Sequence, residues 1–328
     1  MSSRPRRILV TGGTGFIGSY LVRALVQAGS QVRTLDDDSR GSKEKLGDVA
    51  GDVDLRKGDI RDRATVADAV RGVDCVCHLA YVNGTERFYT QPELVLDVAV
   101  RGMLNVLDAC IEHRVRDLVL ASSSEVYQTA PRIPTDETVP LSVPDPVNPR
   151  YSYGGGKIAS ELLAINYGRK HFDRVAIFRP HNVYGPHMGW DHVIPQLVQR
   201  LHGLRADVSD TVRLPIQGTG QERRSFVYVD DAIAGILRIV ERGEHLQIYH
   251  VGTEEEVSIE RLAIEIGKRL GRAVQVVPGA LQPGSTPRRC PSIAKLRQLG
   301  FEPRFALREG LGITVRWMEE RLGSNADA

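Results

Sequence analysis

Hydrophobic and polar positions follow two alternating patterns over the first 180 residues of the chain. Short apolar runs predict strands, whereas apolar positions spaced three and four residues apart predict helices. The predicted strands are Arg6–Gly12, Gln31–Asp36, Val53–Asp59, Val73–Ala80, Arg116–Ser123 and Arg174–Pro180, and the predicted helices are Phe16–Gly29, Arg63–Gly72, Glu93–His113 and one within Tyr151–Lys170. Apolar strands interleaved with helices predict an α/β fold with a doubly wound parallel sheet covered on both faces.

Beyond about residue 180 the pattern becomes shorter and more mixed, with Gly- and Pro-rich joins. We therefore predict two domains, 1–180 and 181–328, the second being a smaller mixed α/β unit. Part of 225–250 is expected to return to the first domain. The predicted helices of the second domain are VIPQLVQRLHG, VDDAIAGILRIVERG, SIERLAIEIGKRLG and LREGLGITVRWMEERL.

Composition narrows the class of protein only slightly. The 43 Lys and Arg residues nearly balance the 41 Asp and Glu residues, so charge favours neither nucleic acid nor a membrane as a partner. The sequence has no apolar run of membrane-spanning length and no secretory signal pattern, which favours a cytoplasmic protein. The four cysteines lack metal-ligand spacing, so no metal site is predicted and buried, reduced thiols are expected.

A glycine-rich turn, TGGTGFIG, joins the first strand to the first helix and carries Gly12, Gly15 and Gly18. In that context the glycines allow the backbone to approach a pyrophosphate, which then lies at the helix N-terminus. Asp36 ends the second strand, where a carboxylate accepts hydrogen bonds from a ribose 2′-hydroxyl and repels a 2′-phosphate. The arrangement predicts a Rossmann-type domain that prefers NAD to NADP.

Tyr153 and Lys157 are four residues apart and would share one face of a helix. A tyrosine is a poor base at neutral pH, but a nearby ammonium favours the phenolate and lowers the phenol pKa. Three glycines, Gly154–Gly156, separate the two residues. Either they allow a cofactor, a sugar or a neighbouring helix to approach the backbone, or the helix begins only near Lys157.

Motifs along nearly the whole chain resemble those of the extended short-chain dehydrogenase/reductases, in particular the nucleotide-sugar epimerase/dehydratase group. The matching stretches are TGGTGFIG, GDIRD, HLA, SSSEVY, YGGGK, RPHNVYGP, RRSFVYVDD and LGFEPRFALREGL. The resemblance implies transient oxidation of a sugar C4 hydroxyl by NAD⁺, with Tyr153 as base, Lys157 as its electrostatic partner and Ser123 bonded to O4. It also implies cofactor contacts, for which the candidates are Gly12, Gly15, Phe16, Ile17, Gly18, Asp36, Asp59, Ile60, Leu79, Ala80, Tyr153 and Lys157.

Glu125 discriminates among the activities of this group. A glutamate at this position acts on the 4-keto intermediate in sugar 4,6-dehydratases and uronate decarboxylases, whereas 4-epimerases usually carry a small or neutral residue. Ser124 stands where the hexose dehydratases have an aspartate, so the acid that would expel a C6 hydroxyl is missing. We expect a 4-epimerase, with a 4,6-dehydratase or uronate decarboxylase using Glu125 as the alternative; a structural role for Glu125 stays open.

The substrate implied by the resemblance is a nucleotide-diphosphate sugar. Asn182 is expected beside the phosphates and Arg224 on the diphosphate, assisted by Arg288 and its neighbour. Thr85 and Ser124 are candidates for contacts with the sugar. The family often forms homodimers through helices that correspond to Glu93–His113 and Tyr153–Lys170 of this chain. A non-catalytic NAD-binding sensor or scaffold is the alternative from another class.

Overall fold

The computed structural model of the protein describes residues 5–204, 211–280, 284 and 286–324. A seven-stranded sheet, parallel throughout, forms its centre in the order β11-β6-β5-β4-β1-β2-β3. Its strands are β1 (Arg7–Thr11), β2 (Gln31–Asp36), β3 (Val53–Lys57), β4 (Cys75–His78), β5 (Asp117–Ala121), β6 (Arg174–Pro180) and β11 (Gln247–Val251). The predicted doubly wound, Rossmann-type sheet is confirmed.

Helices cover both faces of this sheet, and the apolar core accordingly falls into two large clusters, one on each face. The helices are α1 (Phe16–Gln27), α2 (Arg63–Val70), α3 (Thr85–Thr90), α4 (Pro92–Asp97), α5 (Met103–Glu112), α6 (Ser152–His171), α7 (Val193–Gly203), α8 (Val229–Arg242), α9 (Ile259–Arg269), α10 (Ala294–Arg297) and α11 (Leu307–Ser324). Cys75 and Cys77 lie in the same cluster, buried and free, as expected for alternate positions of a strand. None of the described helices is both long enough and apolar enough to cross a membrane.

The smaller strands lie mainly beyond residue 180. They are β7 (Val183–Tyr184), β8 (Thr211–Pro215), β9 (Arg223–Ser225), β10 (Val227–Tyr228), β12 (Glu256–Ser258), β13 (Ala273–Val277) and β14 (Arg288–Arg289). They form three small sheets, β10-β7, β12-β9-β14 and β13-β8. Two elements of this later part of the chain join the main sheet: α8 packs on α1, and β11 pairs in parallel with β6 at the sheet edge. A segment beyond residue 225 thus completes the central sheet and its helical cover.

Two helix predictions need refinement. The predicted helix Glu93–His113 is formed by α4 and α5, which are joined by a π-helical turn at Val98–Gly102. The interpretation in which a helix begins only near Lys157 is wrong, because α6 begins at Ser152 and includes all three glycines. Short 3₁₀ segments at Lys43–Gly51, Ser124–Tyr127 and Pro149–Tyr151 were not predicted from the sequence.

The glycines of α6 differ in what surrounds them. A Cβ at Gly154 would lie 2.6 Å from the Gln128 amide nitrogen, and one at Gly156 would lie 2.8 Å from the Ala99 Cβ and closer still to the Tyr81 hydroxyl. At Gly155 the nearest atom, 3.7 Å away, is in ordinary contact. The protein's own loops and helices therefore make the close approach, at two of the three positions.

Candidate active site

A cavity of about 620 Å³ extends along the carboxyl ends of the central strands. That edge is where ligands bind in open α/β sheets. All residues predicted from the sequence to contact a cofactor line it: Gly12, Gly15, Phe16, Ile17, Gly18, Asp36, Asp59, Ile60, Leu79, Ala80, Tyr153 and Lys157. The fold therefore brings the glycine-rich turn, the acidic end of β2 and the Tyr/Lys pair to one place.

The glycine-rich turn has the features of an anion site. Gly12 adopts φ +72°, a backbone conformation that side chains rarely adopt, and a Cβ there would lie 2.8 Å from the Ala80 nitrogen. Gly15 precedes α1 without any side-chain cap, and no acidic residue lies in the first turn. The amide groups of this helix N-terminus are thus available to a diphosphate, so the turn fits the pyrophosphate of a dinucleotide.

Asp36 is held in a fixed orientation at the end of β2. Its Oδ2 accepts a hydrogen bond from the Thr14 amide at 3.0 Å, and its Oδ1 accepts one from the Asp38 amide at 3.0 Å. The carboxylate lines the cavity and retains lone pairs for a ribose diol. Its charge would repel a 2′-phosphate, so the residues present here fit NAD.

Tyr153 lies on the wall of this cavity, half-buried between two aromatic rings. Phe88 stacks on its ring with centroids 4.7 Å apart, and Tyr81 meets it edge-on at 5.2 Å. Burial raises the pKa of Tyr153 to about 12, and a hydrogen bond shared with Ser123 acts in the opposite direction. The Ser123 hydroxyl also accepts a hydrogen bond from the Glu125 amide at 3.1 Å. Ser123 therefore favours the ionised form of the phenol, against the effect of burial.

Lys157 lies one turn further along α6 and lines the same cavity wall. Its Nζ donates a hydrogen bond to the Ala121 carbonyl at 2.7 Å and lies 3.8 Å from the centre of the Tyr81 ring. Burial lowers the pKa of Lys157 to about 7, and the charge of Glu161 acts in the opposite direction. The lysine therefore changes its charge close to neutral pH.

Glu125 belongs to a cluster of charges next to Tyr153. Arg289 donates to its carboxylate at 2.6 Å, and Arg150 lies 3.9 Å away. Burial alone raises the pKa of Glu125, but Arg289, Arg150 and Arg224 together lower it below its usual value. The carboxylate is consequently ionised, and it is anchored by arginine. Of the roles considered from the sequence, the structure shows the ion pair with an arginine.

A second cavity of about 530 Å³ adjoins the first, and Met188, Asp191 and His192 line both. Of the predicted substrate residues, Thr85, Asn182 and Arg224 line it. The Asn182 amide donates to the Ser225 carbonyl at 2.8 Å. Burial and the neighbouring Arg289 lower the pKa of Arg224 to about 10.

Two predicted substrate residues lie elsewhere. Arg288 is exposed and paired with Glu256 at 2.5 Å, whereas its neighbour Arg289 faces the second cavity. Of the two adjacent arginines expected to assist, Arg289 lines this cavity and Arg288 does not, because side chains of consecutive strand residues point to opposite faces. Ser124 is buried and lines neither cavity.

Sequence reasoning missed several residues of the site: Phe88, Arg150 and Arg40. Arg40 lines the first cavity, donates to the Asn83 carbonyl and lies 3.3 Å from Asp191. It thereby joins three loops at the cavity wall. Neither motif nor periodicity marks these residues, because each reaches the site from a loop or a short helix.

Comparisons with known proteins agree with this geometry. The model of a family described as NAD dependent epimerase/dehydratase matches residues 8–252. A dTDP-glucose 4,6-dehydratase of Streptomyces niveus is 33% identical, over 96% of this chain and 93% of that protein. UDP-glucuronic acid decarboxylase 6 of Arabidopsis thaliana is 32% identical, over 97% of this chain and 90% of that protein. The solved structure of the UDP-glucose 4-epimerase of Thermotoga maritima, with UDP-glucose, is 26% identical and has a TM-score of 0.85. The match covers 96% of this chain and 99% of that chain.

The chain therefore belongs to the NAD-dependent epimerase/dehydratase family. It is an enzyme, and its cofactor is NAD. The resemblance to the extended short-chain dehydrogenase/reductases is confirmed, whereas the relatives divide among dehydratases, decarboxylases, reductases and epimerases. The particular reaction has to be argued from the site.

Proposed function

We propose that the protein is a 4-epimerase of a nucleotide-diphosphate sugar, acting through a transient 4-keto intermediate. The observation that carries the proposal is the position of Tyr153, whose ring lies on the cavity that Lys157 also lines. The adjoining arginine-lined cavity offers a place for the rest of the substrate. Epimerisation requires Tyr153, Ser123 and Lys157, the cofactor and space for the ketosugar to turn over.

Tyr153 accepts the proton of the C4 hydroxyl and later returns it. Because burial raises its pKa to about 12, the phenol needs nearby positive charge to act as a base at neutral pH. The Lys157 ammonium is one source. Bound NAD⁺ supplies the second positive charge and the hydride acceptor for C4. Ser123, which favours the ionised phenol, holds the reacting hydroxyl.

The second cavity has the chemistry of a diphosphate site. Arg224 and Arg289 line it together, and burial together with the like charge of Arg289 lowers the pKa of Arg224 to about 10. Adjacent arginines of this kind gain when an anion with two phosphates lies between them. Asn182 and Thr85, on the same cavity, contribute polar groups.

A uronate decarboxylase is the second candidate, and the Glu125–Arg289 pair favours it. Oxidation of C4 converts a hexuronate, whose carboxylate is attached to C5, into a β-keto acid. Such an acid loses CO₂ without a dedicated base once it is held in place. An arginine beside Tyr153 suits that carboxylate. A 4,6-dehydratase has less support, because the position that would supply the acid is Ser124, which lines neither cavity.

We further propose that the enzyme is a homodimer formed through the α4 and α6 region. These helices pack against each other, and Leu96 and Leu162 on them are 42% and 54% exposed. Exposed leucines on adjacent helices suit a second copy of the same face, which gives an isologous contact.

The test is incubation of the enzyme with UDP-, GDP-, CDP-, ADP- and dTDP-hexoses and hexuronates in deuterated water, followed by mass spectrometry and NMR. Inverted C4 without solvent deuterium at C5 supports the epimerase. Release of CO₂ from a hexuronate supports the decarboxylase. A product lighter by one water, with deuterium at C5, supports the dehydratase. Bound NAD without any turnover would favour a sensor or scaffold instead.

Glu125→Gln separates the candidates further, with Tyr153→Phe as the inactive control. An epimerase retains most of its activity in Glu125→Gln, because that reaction needs no group at this position. A dehydratase loses activity because the carboxylate that acts on its 4-keto intermediate is removed, and a decarboxylase loses activity because Arg289 is no longer held in place for the substrate carboxylate.

A further inference from the structure

Tyr81 lies against both members of the Tyr/Lys pair. Its ring centre is 3.8 Å from the Lys157 Nζ, and its ring meets that of Tyr153 edge-on at 5.2 Å. Its hydroxyl donates a long hydrogen bond, 3.4 Å, to the Tyr153 carbonyl. The same hydroxyl fills the space that a side chain at position 156 would need. A large aromatic residue therefore occupies a place that only a glycine at 156 leaves open.

We propose that Tyr81 is a positioning residue that holds the Lys157 ammonium on its ring face, and that Gly156 is present to admit it. The proposal rests on the proposed role of Tyr153 as the base. It assigns to Tyr81 a function in the reaction without any contact with the sugar or with the reacting atoms.

The physical argument concerns the charge of a buried lysine. Lys157 is 4% exposed and donates one hydrogen bond to protein, at the Ala121 carbonyl. The negative face of an aromatic ring stabilises a desolvated ammonium, and it does so without competing for a proton. Such stabilisation matters most when the pKa lies close to the working pH, as the pKa of about 7 for Lys157 does.

The other groups around Lys157 differ in their effect on its charge. Glu161, one turn further along α6, favours the ammonium. His78 on β4 is neutral over the working range, because burial lowers its pKa to about 3. Tyr153 on α6 favours the ammonium only when it is deprotonated. Tyr81 also stays neutral, since burial raises its own pKa well above the usual value, so its ring face acts on Lys157 at every working pH.

The rigidity of Tyr81 supports a positioning role. Its hydroxyl end lies against Gly156, and the Tyr153 ring, which is itself stacked on Phe88, lies against its side. The Tyr81 ring is therefore packed on two sides beside Lys157. The glycine in front of the catalytic lysine and the tyrosine after β4 thus form one structural unit.

The proposal is tested by measuring the Lys157 pKa directly, with ¹³C- and ¹⁵N-labelled lysine and NMR of the side-chain signals. The chain has seven lysines, and Lys157→Arg identifies the signal. Tyr81→Leu removes the ring face and is expected to lower the Lys157 pKa by about half a unit to one unit. Tyr81→Phe keeps the ring, loses only the 3.4 Å hydrogen bond, and is expected to leave the pKa within about 0.2 units of the parent value.

The pH profile of kcat provides the functional counterpart. The alkaline limb, where the ammonium is lost, is expected to move to lower pH in Tyr81→Leu by the same amount, while Tyr81→Phe retains the parent profile. An unchanged Lys157 pKa in Tyr81→Leu, or equal shifts in both variants, would overturn the proposal. If Tyr81→Leu does not fold, phenylalanine with increasing ring fluorination at position 81 weakens the ring face at nearly constant shape, and the pKa must then fall stepwise.

Failure of the proposed function is distinguishable from failure of this inference. Absence of turnover with every nucleotide sugar in the parent enzyme would reject the former. The NMR titration needs no substrate, and its result alone decides whether Tyr81 stabilises the ammonium.

Discussion

Replacing Gly156 by alanine tests the packing around the candidate base, with Gly155→Ala as the matched control one position away on the same helix. Both changes remove a glycine from α6, and each would by itself stabilise the helix by about 0.5–1 kcal/mol. Only the Cβ at 156 meets an obstacle, since it would lie 2.8 Å from the Ala99 Cβ and even closer to the Tyr81 hydroxyl. The Cβ at 155 is 3.7 Å from its nearest neighbour.

The expected difference follows from those distances. Inserting a methyl group into a packed site costs about 1–3 kcal/mol, so Gly156→Ala should be less stable than Gly155→Ala by about that amount. The stability of Gly155→Ala should equal or exceed that of the parent protein. The double variant Gly156→Ala/Tyr81→Phe should recover part of the loss, because one of the two colliding groups is gone.

Urea unfolding followed by circular dichroism, together with the thermal midpoint, measures these differences at one protein and cofactor concentration. Turnover should fall in Gly156→Ala and not in Gly155→Ala, since the displaced Tyr81 lies against both Tyr153 and Lys157. Stabilities of the two variants within about 0.5 kcal/mol of each other would refute the steric explanation of the glycine.

Other predictions follow from the site and the surface. Tyr153→Phe should reduce turnover by a factor of about 10² to 10⁴ while NAD still binds; a smaller loss would exclude it as the base. Asp36→Asn should raise the affinity for NADP relative to NAD in fluorescence titrations, and an unchanged ratio would contradict its assigned role. Leu162→Lys should shift the sedimentation coefficient to that of a monomer, whereas an unaltered dimer would place the interface elsewhere. Stability should fall as pH decreases from about 6.5 towards 3, because the unfolded chain takes up protons on His78 and His250 that burial excludes in the folded state, where each pKa is about 3. Urea titrations across this range should show that slope, and His78→Asn should reduce it.

Local patterns were sufficient for most of the fold and for the cofactor cavity. Strand and helix periodicities, with the glycine-rich turn between β1 and α1, predicted the sheet and the wall formed by Asp36, Tyr153 and Lys157. Each of these sequence patterns, including the glycine-rich turn and the Tyr153/Lys157 pair, involves residues within a few positions of each other. For that reason each of them is visible in the sequence before any long-range contact is known.

The remainder depends on contacts between distant parts of the chain. The choice between Arg288 and Arg289 requires the orientation of β14, because alternate strand residues face opposite sides. The partner of Glu125 is 164 residues away in sequence. The reason for Gly156 lies with Tyr81, on another strand end, and no local propensity indicates it. Packing of this kind is a property of the assembled fold.

The position of β11 in the central sheet has a consequence for synthesis of the chain. Residues 247–251 form the outer strand beside β6, and α8, which precedes them, covers α1. A nascent chain that has released residues only up to about 180 therefore exposes the edge of β6, which is ready to pair with strands of other molecules. The dinucleotide-binding layer cannot close until about three quarters of the polypeptide has left the ribosome, and a gene fragment cut near residue 180 would encode an aggregating product.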